Sequence, residues 1–165
     1  MNEKLIINTA QPDDAEMVIS ILDEATIYKN SHNDKAWGDT PWSVDEVIDS
    51  INSGNRYLAY FGTNPVGSFV LEWSDKNWND NNQDAAFVHQ LAVNNSYRNQ
   101  NIGSQLLEQA SNIAKQQGKK LLRLDCSYDN KKLCEYYASN SFVLYKIIQS
   151  TNPPMNKALF QKILP

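Results

Sequence analysis

A mixed α/β fold is what this sequence predicts, on three observations. Apolar positions switch repeatedly between the period of about two that marks strands and the period of about 3.6 that marks helices. The resulting order is β-α-α-β-β-β-α-β-α-β-β, in which hairpin-type connections in the first half give way to strand-helix-strand units in the second. With 165 residues, 41% of them apolar and 21% charged, the chain can close one full core, so residues 1–165 are expected to form a single domain.

Leu5-Ile6-Ile7 is a short apolar run, and Pro12-Asp13-Asp14 suits the first turn of a helix. From Ala15 the positions Val18, Ile19, Leu22, Ala25 and Thr26 recur at helical spacing, which predicts a helix to about Tyr28. Residues 29–42 are polar and irregular apart from Trp37 and Trp42. Ser43-Val44-Asp45-Glu46 reads as a capping box opening a second helix, with Val44, Val47, Ile48 and Ile51 inward and Gly54 as its stop. Two strand-like runs, 56–61 and 65–73, flank Gly62-Thr63-Asn64 in the pattern of a hairpin. A polar stretch, 74–84, holds Trp78 as its only large apolar group, and Ala85–Val93 follows as a long strand. The next helix carries Ile102, Leu106, Leu107, Ala110, Ile113 and Ala114 on one stripe and ends at Gly118. Residues 121–126 form a strand, 130–140 a short helix, and 142–148 and 158–164 the last two strands.

Composition narrows the function classes. A formal charge of −4 without a basic run argues against nucleic acid, whose phosphates need clustered Lys and Arg. The acidic balance tilts toward a cationic substrate. No apolar run approaches the roughly 20 residues that cross a bilayer, and nothing at the start resembles a signal peptide, so a cytoplasmic protein without a membrane partner is expected. Cys126 falls in a strand and Cys134 in a helix, without metal-ligand spacing; reduced, mostly buried thiols and no metal are the expectation.

The most chemical stretch is Val93-Asn94-Asn95-Ser96-Tyr97-Arg98-Asn99-Gln100-Asn101-Ile102-Gly103-Ser104, where a strand runs through a short polar turn into an amphipathic helix. The first N–H groups of a helix have no partner within it, and the dipole adds partial positive charge, so such a junction collects donors around a phosphate or pyrophosphate.

Three signatures stand in order around it. Arg98-Asn99-Gln100-Asn101-Ile102-Gly103 follows a pattern of Arg or Gln, two residues, Gly, one residue, then Gly or Ala. Val88-His89-Gln90-Leu91-Ala92-Val93 is the strand before it, and Asn130, Tyr137 and Phe142 form a spaced motif after it. On these residues the chain resembles the GCN5-related N-acetyltransferase (GNAT) superfamily over residues 4–148, most densely from 88 to 142. Two positions depart from that pattern: Asn101 and Ser141 stand where the family has Gly. Asn tolerates the left-handed conformation that Gly supplies, whereas a need for close approach would weaken cofactor binding.

The resemblance implies a central mixed, mostly antiparallel sheet flanked by helices, and acetyl-CoA as cosubstrate. Its pyrophosphate would meet backbone N–H groups of Arg98, Asn99, Gln100, Asn101, Ile102, Gly103 and Ser104. The pantetheine arm would run along Leu91, Ala92 and Val93, and Asn130 would contact the arm or cap its helix. Tyr137 is the implied general acid for the departing thiolate, with a core aromatic as the alternative. For the base the candidates are His89, Glu72 or water, since many family members use a strand-four Glu where His89 stands. Glu72, Trp37 and Trp73 are candidate acceptor-binding residues; Trp42 and Trp78 lie in similar loops, and any of these Trp side chains equally serves to pin a loop. The expected partners are acetyl-CoA and a primary amine that attacks it directly, without an acyl-enzyme. A binding or regulatory module that no longer catalyses is the alternative. Ala158, Leu159, Phe160, Ile163 and Leu164 suit either a homodimer contact or completion of the protomer's own sheet.

Overall fold

A computed structural model describes residues 4–165. Its elements are β1 (Leu5–Thr9), α1 (Ala15–Ser31), α2 (Val44–Asn52), β2 (Arg56–Phe61), β3 (Asn64–Glu72), β4 (Ala85–Val93), α3 (Ile102–Gln116), β5 (Leu121–Ser127), α4 (Lys131–Ser139), β6 (Val143–Thr151) and β7 (Pro154–Ile163). The strands make one sheet in the order β1-β2-β3-β4-β5-β7-β6, antiparallel at every pair except β4 and β5, which run parallel. This is the α/β architecture that the alternation of periods predicts, with the mixed, mostly antiparallel sheet that the resemblance implies.

Each face of the sheet buries a helix pair. Ile102, Leu106, Leu107, Ala110 and Ala114 of α3, with Tyr137 and Phe142 from α4 and the turn after it, pack against Ala59, Phe69, Leu71, Val88, Leu122, Leu124 and Phe160. On the opposite face Val18, Leu22 and Ala25 of α1 and Val47 and Ile51 of α2 meet Leu58 and Ala92. Burying a leucine such as Leu106 contributes about 1.5–3 kcal/mol, so the spacing of these stripes fixes where each helix lies. No helix among the described residues is long and apolar enough to cross a membrane.

Several boundaries differ from the sequence reading. α1 continues past Tyr28 to Ser31, because its polar last turn is held by Lys29, which binds Asp34 at 2.6 Å. Val44 is 47% exposed: as the first residue of α2 it lies off the inward stripe of Val47 and Ile51. Glu46 closes that helix start by accepting from Ser43 N at 2.8 Å. β7 begins at Pro154, ahead of its apolar run, because β6 pairs with it from Thr151↔Pro154 onward. It is an interior strand, so Ala158, Leu159 and Phe160 are buried within the protomer's own sheet. The edge is β6, which leaves Val143, Leu144, Tyr145 and Ile147 exposed. Trp78 pins its loop: it packs with Ala85, Phe87 and Leu159, beneath the buried Arg123 guanidinium at 4.2 Å, which also grips Asp80 at 2.6 and 2.9 Å.

Candidate active site

The site begins where the sheet opens. β4 and β5 pair only at Ala85↔Leu121, Ala86↔Leu122 and Phe87↔Arg123, although the strands continue to Val93 and Ser127. Beyond Phe87 the two strands diverge, and the facing edges are left as a slot for an extended chain that can hydrogen-bond to main-chain groups. On its other side β4 is bulged. Val70 pairs with His89 and Ser68 with Ala92, so two steps of β3 face three of β4, and Gln90 takes φ +50°. Arg56, wholly buried, donates to Gln90 Oε1, to Ser50 Oγ at 2.9 Å and to Ser68 Oγ at 3.3 Å. Burial brings its guanidinium down to about 10, against the pull of nearby Glu72.

β4 then delivers the chain to the polar junction. Asn99 and Asn101 both stand at φ +61°, left-handed positions one residue apart, which suit a turn of convergent N–H groups. From Asn99 to Ser104 no main-chain N–H donates to another described group; the first helical bond runs from Gln105 N to Asn101 O at 3.2 Å. Asn101 therefore performs the backbone role of a glycine, and Ser141, at φ +70°, does the same before Phe142. Gly103 is needed for a different reason: a Cβ there would collide with the Tyr136 hydroxyl, which bonds Ser104 Oγ at 3.2 Å.

Slot and junction open into one cleft of about 1150 Å³. Its lining brings together His89, Leu91, Ala92, Val93, Arg98, Asn99, Asn101, Ile102, Gly103, Asn130, Tyr137, Glu72 and Trp37 from the sequence-predicted set. Gln100 and Ser104 flank the junction outside it, and Trp73 is not brought in: just past the end of β3, it is 38% exposed beneath Lys119. Trp42 lines the cleft, edge-on to Trp37 and tied to Thr26 Oγ1 at 2.9 Å.

Around His89 the structure adds partners that the sequence reading did not name. Its buried Nε2 makes no hydrogen bond but faces Asp75 Oδ2 at 3.4 Å and Glu72 Oε2 at 3.6 Å. Asp75 is held in place by Asn77 N at 2.8 Å. Asp75, His89 and Asp125 each offer one atom within 4.8 Å of the others, a spacing that suits a cation, and Lys157 already pairs with Asp125 at 3.3 Å.

Tyr137 is enclosed among Tyr136, Phe142 and Phe160 while lining the cleft. Burial first, then the negative charge of neighbours including Asp125 and Asp34, raises its phenol well above the ordinary value. Asn130 caps α4 by accepting from Leu133 N at 3.1 Å, and its amide donates to Asp34 at 2.7 Å. Cys126 and Cys134 are free thiols 3.8 Å apart, and burial pushes the Cys126 thiol up, away from nucleophilic use. Arg56, Asp34 and Asp75 were missed because one charged residue at a strand start or in a polar loop carries no signal of burial.

A family model described as the acetyltransferase (GNAT) family matches residues 18–142. No curated protein matches the sequence. Among solved structures the chain is similar to the PaiA N-acetyltransferase from Thermoplasma acidophilum in complex with coenzyme A, with a TM-score of 0.79 and 18% identity over 97% of this chain and 99% of that one. It is also similar to a GNAT-family acetyltransferase from Listeria monocytogenes, with a TM-score of 0.78 and 16% identity over 97% and 95% of the two chains. A third likeness is to yncA from Salmonella typhimurium with its cofactor acetyl-CoA, with a TM-score of 0.77 and 13% identity over 98% and 95%. At such identities the likeness is one of fold.

Proposed function

The chain belongs to the acetyltransferase (GNAT) family, and from that premise we propose that it moves an acetyl group from acetyl-CoA to a primary amine, of a small molecule or a protein terminus, by direct attack in a ternary complex. The observation that carries this reading is the continuity of two features. A junction with unpaired N–H groups from Asn99 to Ser104 leads straight into the slot between β4 and β5. The first suits a pyrophosphate and the second an extended amide-bearing arm. Acetyl-CoA supplies the activated acyl group and a thiolate leaving group.

The chain's own residues then divide the work. Main-chain N–H groups of β4 beyond Phe87, where the strand has no β5 partner, offset the negative charge that develops on the carbonyl oxygen. Tyr137 lines the cleft with its proton in place at neutral pH and is the donor to the departing sulfur, against the burial that makes its phenol a weaker acid. His89 takes the ammonium proton, and the carboxylates of Asp75 and Glu72, 3.4 and 3.6 Å from Nε2, offset the charge it gains. Glu72 and Trp37 lie on the acceptor side of the same cleft. The rival reading, a silent binding module, draws on Asn101, Ser141 and the missing strand-four Glu; the first two adopt glycine's conformation, which weakens that part of its support.

The test is calorimetric titration with acetyl-CoA and desulfo-CoA, followed by thiol release with a panel of amines. Micromolar binding of both and amine-dependent release support the proposal. Binding without release from any amine returns the silent module, and no binding removes acetyl-CoA from the reading.

A further inference from the structure

Asp34 touches no reacting group in the chemistry above, yet its carboxylate is fully enclosed and takes three donors: Lys29 Nζ at 2.6 Å, Asn130 Nδ2 at 2.7 Å and Ala36 N at 3.1 Å. These donors come from three places. Lys29 is in the last turn of α1, Ala36 starts the stretch that carries Trp37 over the cleft, and Asn130 caps α4. Both polar ends of Asn130 are thereby used, one on Leu133 N and the other on Asp34.

Among the described residues the other hydrogen bonds that tie the loop between α1 and α2 to a helix reach α1 or the start of α2: Asn30 Nδ2 donates to Gly38 O at 2.9 Å, Trp42 N to Asp23 at 2.8 Å, Trp42 Nε1 to Thr26, and Ser43 N to Glu46. Among the described residues the Asp34–Asn130 bond is the one hydrogen bond from this loop to α4, and α4 carries Tyr137. We propose that Asp34 is a positioning residue for acyl transfer, which through Asn130 fixes α4 and its tyrosine against the loop that carries Trp37. This rests on the acetyl-transfer reading of the same cleft.

The physical basis is the penalty of leaving buried donors unmatched. Without the carboxylate the Lys29 ammonium and the Asn130 amide are both orphaned, and each relaxes by moving the segment it belongs to. Burial pushes the Asp34 carboxyl up, but the hydrogen bonds from Lys29 and Asn130 more than offset this and hold it below the usual range, so it stays ionised at working pH.

The experiment compares Asp34→Asn, Asp34→Ala, Asn130→Ala, the Asp34→Ala/Asn130→Ala pair and the reciprocal swap Asp34→Asn/Asn130→Asp. Its readouts are kcat and KM for an acetylated amine, calorimetric acetyl-CoA affinity, and amide exchange at Ala36 and Leu133. Positioning predicts that Asp34→Ala and Asn130→Ala each lower kcat at least tenfold with acetyl-CoA affinity within threefold, that the pair is no worse than the weaker single variant, and that the swap recovers most of kcat. Faster exchange at Leu133 in Asp34→Ala is the matching structural sign. Losses that multiply in the pair, or a kcat unchanged in the folded Asp34→Asn and Asp34→Ala proteins, overturn the proposal. If the wild type neither binds acetyl-CoA nor acetylates an amine, the acetyl-transfer reading fails; the exchange data then decide the coupling alone, and unchanged exchange at Leu133 overturns that too.

Discussion

Arg56 and Gln90 are joined across the sheet interior: the buried guanidinium donates to the amide oxygen of the residue whose positive φ makes the β4 bulge. Replacing Arg56 by Met leaves Gln90 and Ser68 without their donor, and a loss of about 2–4 kcal/mol is expected in urea unfolding. The folded fraction should also turn over more slowly while binding acetyl-CoA nearly as well, because the bulge shapes the donors at the reacting end of the slot. Unchanged kcat in the folded protein would mean that the bulge holds itself.

Gly103→Ala is expected to weaken acetyl-CoA binding about tenfold, or about 1.4 kcal/mol, since the new methyl collides with the Tyr136 hydroxyl and pushes the cradle apart. Tyr136→Phe removes the colliding oxygen and leaves the nearest ring carbon at 3.4 Å, so the double variant should regain most of the affinity. Calorimetry on the three proteins reads this directly.

Ser141 and Asn101 share a left-handed backbone but not a context. Ser141→Gly relieves the strain in the turn after α4 and should add about 1 kcal/mol, a rise of about 2–4 °C in Tm. Asn101→Gly should leave acetyl-CoA affinity nearly unchanged, whereas Asn101→Ala should lower it, because Ala resists the same φ. Equal affinities for the Gly and Ala variants would show that the conformation at 101 is unimportant.

Tyr137→Phe should lower kcat by about 10²–10⁴ with little change in acetyl-CoA affinity. It should also alter alkaline stability. A phenol raised in the folded state contributes stability that is fully present below its unfolded value near 10 and is lost as pH rises toward the folded value. Tyr57, Tyr60 and Tyr136 are raised as well, while Arg56, lowered to about 10, works the other way as pH passes that point. Stability of the wild type should therefore fall above pH 10, by up to about 1.4 kcal/mol per unit for each tyrosine, and Tyr137→Phe should flatten the fall. Denaturant midpoints between pH 8 and 11 measure it.

The cofactor-side junction was legible because its signals are local. The run from Val93 to Ser104 holds strand, turn and helix start within a dozen or so residues, and Asn at 101 reads as a tolerable left-handed residue from its side-chain type alone. The acceptor side was not legible in the same way. Trp37 and Trp73 look alike in sequence, and only the packing of the loops that carry them shows that Trp37 lines the cleft with Glu72, whereas Trp73, where the chain leaves β3, lies outside it.

By itself the sequence determined the order of elements, the apolar stripes that seat each helix and the donor-rich entry to α3, because periodicity, caps and turn residues act over a few positions. Tertiary structure alone decided the divergence of β4 from β5, the burial of Arg56 beneath the bulge, the carboxylates around His89 and the meeting of Asp34 with Asn130. Those depend on segments far apart in the chain closing on one another, and a lone charged residue becomes a fixed partner only when packing removes the water that would otherwise solvate it.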